Sequence, residues 1–158
     1  MLKYEQAIQN YSTAIKLNPN YAPAYYNRGT LYKEVLNKYD LAIQDYNKAI
    51  EINPNYASAY NNRGLAFLMQ EKCEMAIRDF NKAIELNTNL DIAYSNRGLA
   101  YGALGNFNQA IADSTKAIEI NPNFANAYYI RGLIYQELGN MKKAQADFLK
   151  AKRLGFDG

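Results

Sequence analysis

The sequence predicts an all-α fold, a solenoid of antiparallel helix pairs, on three observations. First, a tripeptide recurs as Asn27-Arg28-Gly29, Asn62-Arg63-Gly64 and Asn96-Arg97-Gly98, then as Ile130-Arg131-Gly132, with glycine spacings of 35, 34 and 34. Second, the same period governs Leu17-Asn18-Pro19, Ile52-Asn53-Pro54, Leu86-Asn87-Thr88 and Ile120-Asn121-Pro122, and again Lys48-Ala49-Ile50, Lys82-Ala83-Ile84 and Lys116-Ala117-Ile118. Third, within each period the packing residues fall three and four apart, which puts them on one helix face. A period of this length marks stacked supersecondary units. Four full units follow, at 22–56, 57–90, 91–124 and 125–158, and residues 1–21 match the second half of a unit, so that 1–158 reads as one array.

Each element has a start and a stop. A lone helix is expected at 3–17, ended by Asn18-Pro19 because a residue before Pro is pushed out of the α region. Pairs then follow at 22–36 and 39–52, 57–70 and 73–86, 91–104 and 107–120, 125–138 and 141–154. In the third unit Tyr94, Arg97, Gly98 and Tyr101 share a face, and Gly105-Asn106 stops the helix. Ala110, Ser114, Ala117 and Ile118 then resume the period until Asn121-Pro122. Gly29, Gly64, Gly98 and Gly132 lie inside helices, where Gly costs about 1 kcal/mol against Ala. Close approach of a facing helix explains the repetition, with Ala7, Ala42, Ala76, Ala110 and Ala144 as the matching small residues. Tyr32, Phe67, Tyr101 and Tyr135 are expected to fill the space between.

Composition excludes much chemistry. The chain has 158 residues, no His, no Trp, one Cys and fifteen Tyr. Without His there is no Ser-His-Asp or Cys-His nucleophile and no His-ligated metal; one Cys allows neither an internal disulfide nor a thiolate cluster. Carboxylates alone can cleave glycosides, but here they are spread along the array rather than clustered. No metal, no cofactor and no catalysis are expected. The net charge of +3 is too weak for a nucleic-acid stripe, and no apolar run suits a membrane span. The first residues carry no signal-peptide pattern, so a cytoplasmic location is the plain expectation. Residues 1–140 hold 13 basic and 13 acidic side chains, so the positive excess lies wholly in 141–158 and reads as a solubilising terminal cap. Cys73 shares a column with Tyr4, Tyr39, Phe107 and Met141 and is expected to be a packing residue.

The glycine, the following aromatic and both alanine sets resemble the tetratricopeptide repeat over essentially the whole chain. Some positions depart. Tyr25, Tyr60, Tyr94 and Tyr128 stand for Trp, Ser114 for an aromatic, and Thr88 and Phe156 for Pro. One extra residue between Gly29 and Ala42 predicts an irregular turn near Leu36–Lys38, and Ser114 predicts a looser third unit. Arg28, Arg63, Arg97 and Arg131 stand where the pattern has Leu, on a buried face where Arg needs a partner. Asp45, Asp79, Asp113 and Asp147, one per unit, predict an ion-pair ladder; the sequence leaves open whether each pair forms within a repeat or between repeats, and an anion-binding role for the arginines is the alternative.

The resemblance implies a right-handed superhelix whose first helices line a concave, peptide-binding surface. The residues so placed include Tyr26, Asn27, Thr30, Lys33, Asn61, Asn62, Leu65, Leu68 and Met69, then Ser95, Asn96, Leu99, Tyr129, Ile130 and Leu133. Asn27, Asn62 and Asn96 form a row that Ile130 breaks; a side-chain amide can pair with a peptide backbone of any sequence. The family's carboxylate clamp for chaperone tails needs cations at positions that here hold Tyr26, Asn61, Ser95, Tyr129 and their uncharged neighbours, so that function is not expected. Leu65, Leu68, Met69, Leu99 and Leu133 favour a ligand with apolar side chains. The leading reading is a non-catalytic interaction scaffold binding a peptide or helical segment. The alternatives are a self-assembly module working through uncapped ends, giving a homo-oligomer, and a substrate-presenting arm of a larger enzyme.

Overall fold

The computed structural model describes residues 2–156. It falls into two compact units, Met1–Leu86 and Asn87–Gly158. In the first, α1 (Leu2–Leu17) is followed by α2 (Ala22–Glu34), α3 (Tyr39–Ile52), α4 (Ala57–Leu68) and α5 (Cys73–Leu86). The pairs α2/α3 and α4/α5 pack as hairpins, α1 packs on α2, α3 on α4, and α2 also touches α4. In the second, α6 (Asp91–Ala103), α7 (Phe107–Ile120), α8 (Ala125–Glu137) and α9 (Met141–Arg153) repeat the pattern, with α6/α7 and α8/α9 as hairpins. The described residues form no strand.

The turn between pairs is held by asparagine rather than by proline. The side chains of Asn18, Asn53, Asn87 and Asn121 each accept a bond from the backbone N–H two residues on, all at 3.1 Å. Asn87 makes this turn with Thr88 beside it, so loss of Pro there leaves the geometry intact.

The turn inside each pair needs one left-handed residue. Gly105 and Gly139 supply it with φ of 74° and 72°, but Glu71 and Asn37 do so at 61° and 50°. Closing bonds run from Lys72 N to Phe67 O (3.0 Å), Asn106 N to Tyr101 O (2.9 Å) and Asn140 N to Tyr135 O (2.8 Å). In the first pair the bond runs from Lys38 N to Tyr32 O at 2.8 Å, one residue longer. The extra residue is absorbed there, as a wider loop. Left-handed backbone costs a non-glycine residue about 1–2 kcal/mol. Glu71 is exposed, so Glu71→Gly is expected to raise stability by about 1 kcal/mol, read as a higher urea midpoint with an unchanged slope. A lower midpoint would mean that the Glu71 side chain holds the turn.

The helix pairs close on small residues. A Cβ placed on Gly64 would lie 2.8 Å from the Phe80 ring, and one on Gly132 would lie 2.6 Å from Phe148. Ala42, Ala76, Ala110 and Ala144 are buried opposite. The main filler is the second-helix column: Tyr46, Phe80 and Ser114 are fully buried, whereas Tyr32, Tyr101 and Tyr135 keep part of their surface. The expected loosening at Ser114 is absent from this contact. A Cβ on Gly98 would meet Ser114 Oγ at 3.0 Å and Ala110 O at 3.1 Å, as close as the approach at Gly29, and the hydroxyl donates to Ala110 O at 2.9 Å.

Candidate ligand-binding face

The arginine column is internally satisfied. Arg28 Nε and Nη2 donate to Asp45 at 2.8 and 2.7 Å, and Arg63 donates to Asp79 at 2.7 and 2.6 Å. Arg97 binds Asp113 through two bonds of 2.7 Å, and Arg131 binds Asp147 at 2.8 and 2.9 Å. Each pair is fork to fork and lies within its own repeat, between the first and second helix. The remaining Nη1 reaches back to the preceding second helix: Arg28 to Ser12 Oγ at 3.0 Å, Arg63 to Asn47 Oδ1 at 2.7 Å, Arg131 to Thr115 Oγ1 at 3.1 Å. Tyr60, Tyr94 and Tyr128 place their rings 5.4–5.7 Å from the guanidinium carbons, and Tyr25 stands at 5.9 Å. These are the tyrosines at the Trp position. The hydrogen bonds to their own aspartates come first in holding Arg28, Arg97 and Arg131 above the ordinary arginine value. With their forks filled, the arginines are poor receptors for an external anion.

In the first unit, one face of α2 and α4 gathers a polar network. Asn62 Nδ2 donates to the Tyr26 hydroxyl at 3.0 Å and lies 3.5 Å from Thr30 Oγ1. The Tyr46 hydroxyl, from α3, donates to Thr30 Oγ1 at 3.2 Å, and Asn61 Nδ2 approaches Asn62 Oδ1 at 3.4 Å. Tyr26 lies against Tyr56 with ring centroids 4.9 Å apart, and burial raises its phenol pKa. Burial pushes the Tyr46 phenol up more strongly. Asn27 and Leu65 are half-buried, and Met69 is 55% exposed at the end of α4. Lys33 ends α2 almost wholly buried, 6% exposed, beside Asn62.

In the second unit, α6 and α8 carry the corresponding residues differently. Leu99 is exposed and Leu133 half-buried. Ser95 is fully enclosed, Asn96 is buried and Ile130 is 2% exposed, which corrects the expectation that all three face a ligand. Tyr129 is likewise engaged internally, 5.7 Å from Phe148 and stacked 4.3 Å from Phe156. The asparagine row is therefore not a row of open amides: Asn61 and Asn96 are buried, and Asn62 is already a donor to Tyr26. Cys73 is buried, and burial raises its thiol pKa, as expected of a packing residue. Among the described residues, no cluster of His, Cys, Asp and Glu is arranged to hold a metal, and no helix is long and apolar enough to cross a membrane.

Helical hairpins that recur at one period and pack first helix against second define the class of helical-repeat proteins. Models described as TPR repeat match residues 3–35 and 36–71, and models described as tetratricopeptide repeat match 57–90, 92–124 and 115–146. The chain belongs to the tetratricopeptide repeat family. It is similar to MamA, at 31% identity over 96% of this chain and 88% of that one, with a TM-score of 0.82. YrrB, a TPR protein with an unusual peptide-binding site, is 26% identical over 98% of this chain and 79% of that one, at a TM-score of 0.75. The first TPR of Spaghetti (RPAP3), solved bound to the HSP90 peptide SRMEEVD, is 32% identical over 75% of this chain and 93% of that one, at a TM-score of 0.71. No curated protein sequence matches the chain.

Proposed function

We propose that the protein is a non-catalytic interaction scaffold that takes a peptide or helical segment along its first helices. One observation carries this reading: on α2 and α4 a hydrogen-bonded Tyr26–Asn62–Thr30 cluster stands beside Leu65 and the exposed Met69. A fixed polar cluster orients a ligand, and a flexible thioether beside it adapts to apolar side chains of varied shape. Peptide binding in YrrB and in the Spaghetti domain supports the same use of the fold. The missing clamp cations argue against chaperone tails as the ligand.

Met69 is exposed, so a charge there leaves the core untouched. Met69→Glu is expected to weaken partner capture at least about tenfold, since a buried charge opposes binding. Met75→Glu, at an exposed α5 methionine, is the control. Equal capture by all three proteins would remove the first-helix face as the binding site.

Self-assembly is the second reading, favoured by Leu149 at 50% and Met141 at 61% exposure on α9. Light scattering across concentration tests it: growth in mass supports it, and a constant monomer ends it.

A further inference from the structure

Lys33 sits in a column otherwise held by Leu68, Gly102 and Gln136, so a cation there is a departure from the repeat. Its side chain is 6% exposed, yet its contacts are long. Nζ lies 3.5 Å from Asn62 Oδ1 and 3.5 Å from Glu34 Oε1, and Glu34 itself is 60% exposed. An ammonium has three donors, and a buried charge needs close, charge-balanced partners. The same repeat builds such a pair where it packs: Arg28 and Asp45 meet twice, at 2.8 and 2.7 Å. Among the described residues Lys33 has no such close pair.

A cavity of about 250 Å³ opens beside it, lined by Lys33, Glu34, Asn37, Tyr39, Leu65 and Met69. Asn37 and Tyr39 fix one side of it, with the Tyr39 hydroxyl 3.2 Å from Asn37 Oδ1. Leu65 and Met69 form the apolar side. The lining carries one cation, and its one acid is largely solvated. That balance suits a single negative charge rather than a phosphate dianion.

We propose that this cavity receives the side-chain carboxylate of a Glu or Asp in a bound peptide, with a neighbouring apolar residue seated on Leu65 and Met69. The proposal rests on the peptide-binding reading and names its chemistry at the first repeat. Burial pushes the Lys33 ammonium below its ordinary value, with Glu34 opposing, and a carboxylate arriving at Nζ reverses that shift.

The test uses three short probes on the full chain: acetyl-Leu-Glu-Leu-amide, its Gln counterpart, and the Gln counterpart with a free C-terminus. Nuclear magnetic resonance reads the Leu65 and Met69 methyls and the Lys33 ε-methylene. The Glu probe is expected to give saturable shifts at all three, with both Gln probes at least about tenfold weaker. Lys33→Met is expected to abolish the difference between probes while melting at the wild-type temperature or above, because it removes a poorly paired buried charge. Lys33→Gln, the residue of the fourth repeat, serves if the Met variant misfolds. Equal shifts from the Glu and Gln amides, or none, overturn the proposal, as does a Lys33→Met protein that still prefers Glu. A free-terminus probe matching the Glu probe overturns the side-chain assignment. Methyl shifts that ignore Lys33 leave the peptide face standing and remove only this pocket. Lys33-dependent binding of the Glu probe with partner capture unchanged by Met69→Glu leaves the pocket standing and removes the wider peptide face.

Discussion

Asp79→Asn is expected to destabilise the protein by about 3 kcal/mol, the low end of the range for removing one partner of a buried ion pair. The Asp79 side chain is 8% exposed and accepts two bonds from Arg63. Asparagine keeps the shape but replaces one acceptor with an N–H that faces the guanidinium. Arg63 then keeps its charge with only Asn47 Oδ1 and the Tyr60 ring beside it. Arg63 is 20% exposed, so water recovers part of the loss, which places the effect at the lower end. For a chain of this size the melting temperature should fall by roughly 6–12 °C. The double variant Arg63→Leu/Asp79→Leu should recover most of it, because a pair replaced by apolar residues is often neutral or better. An unchanged melting temperature in Asp79→Asn would show that the pair contributes nothing net. Failure of the double variant to recover would show that the Arg63 bond to Asn47, linking adjacent helices, carries the stability instead.

Helix starts were legible because their signal is local. The expected starts at 22, 39, 57, 73, 91, 107, 125 and 141 coincide with those of α2 to α9. The Asn turn and the left-handed turn are both written in a few adjacent residues. Helix ends were less legible. The first helix of each pair stops at Glu34, Leu68, Ala103 and Glu137, one or two residues early, because the chain leaves the helix before its left-handed residue. The ladder residues could be chosen from one Asp per Arg, but their partners could not. An Asp one repeat back and an Asp in the same repeat share the same helical phase, and only packing separates them.

The ligand face was the least legible, for a related reason. Helical phase says which way a side chain points, whereas the depth of burial depends on the size of neighbours from other repeats. Ile130 and Leu133 both project from α8, yet Ile130 is buried and Leu133 is not. Asn62 has its amide occupied because the first repeat happens to carry a tyrosine, Tyr26, opposite it. The burial of Lys33 was likewise hidden, although its mismatch with Leu68, Gly102 and Gln136 was visible in the sequence as a cation in a column without one.

Phe80→Ala is expected to cost about 4 kcal/mol, within the range for emptying a buried aromatic site. Phe80 is fully buried, and its ring fills the space that Gly64 leaves between α4 and α5. Ser114 in the same column shows that a small residue can stand there, but only in altered surroundings. Its hydroxyl bonds to Ala110 O, and the following first helix carries Ile134 where Ala66 and Ala100 stand, with Cδ1 2.5 Å from the place of a Cβ on Gly102. In the α4/α5 pair the ring itself fills the space over Gly64, so its removal leaves a cavity. The neighbouring glycine makes the argument sharper. Gly64→Ala in the wild type pushes a methyl to 2.8 Å from the ring and should destabilise by about 1–3 kcal/mol. In Phe80→Ala the ring is gone, and the same change should stabilise by up to about 1 kcal/mol through helix propensity and partial filling. The effect of one methyl thus changes sign with its neighbour, which urea unfolding of the four proteins measures as a coupling. Equal destabilisation in both backgrounds would mean that the Ala76 carbonyl, 3.1 Å from the same methyl, sets the helix spacing rather than the ring.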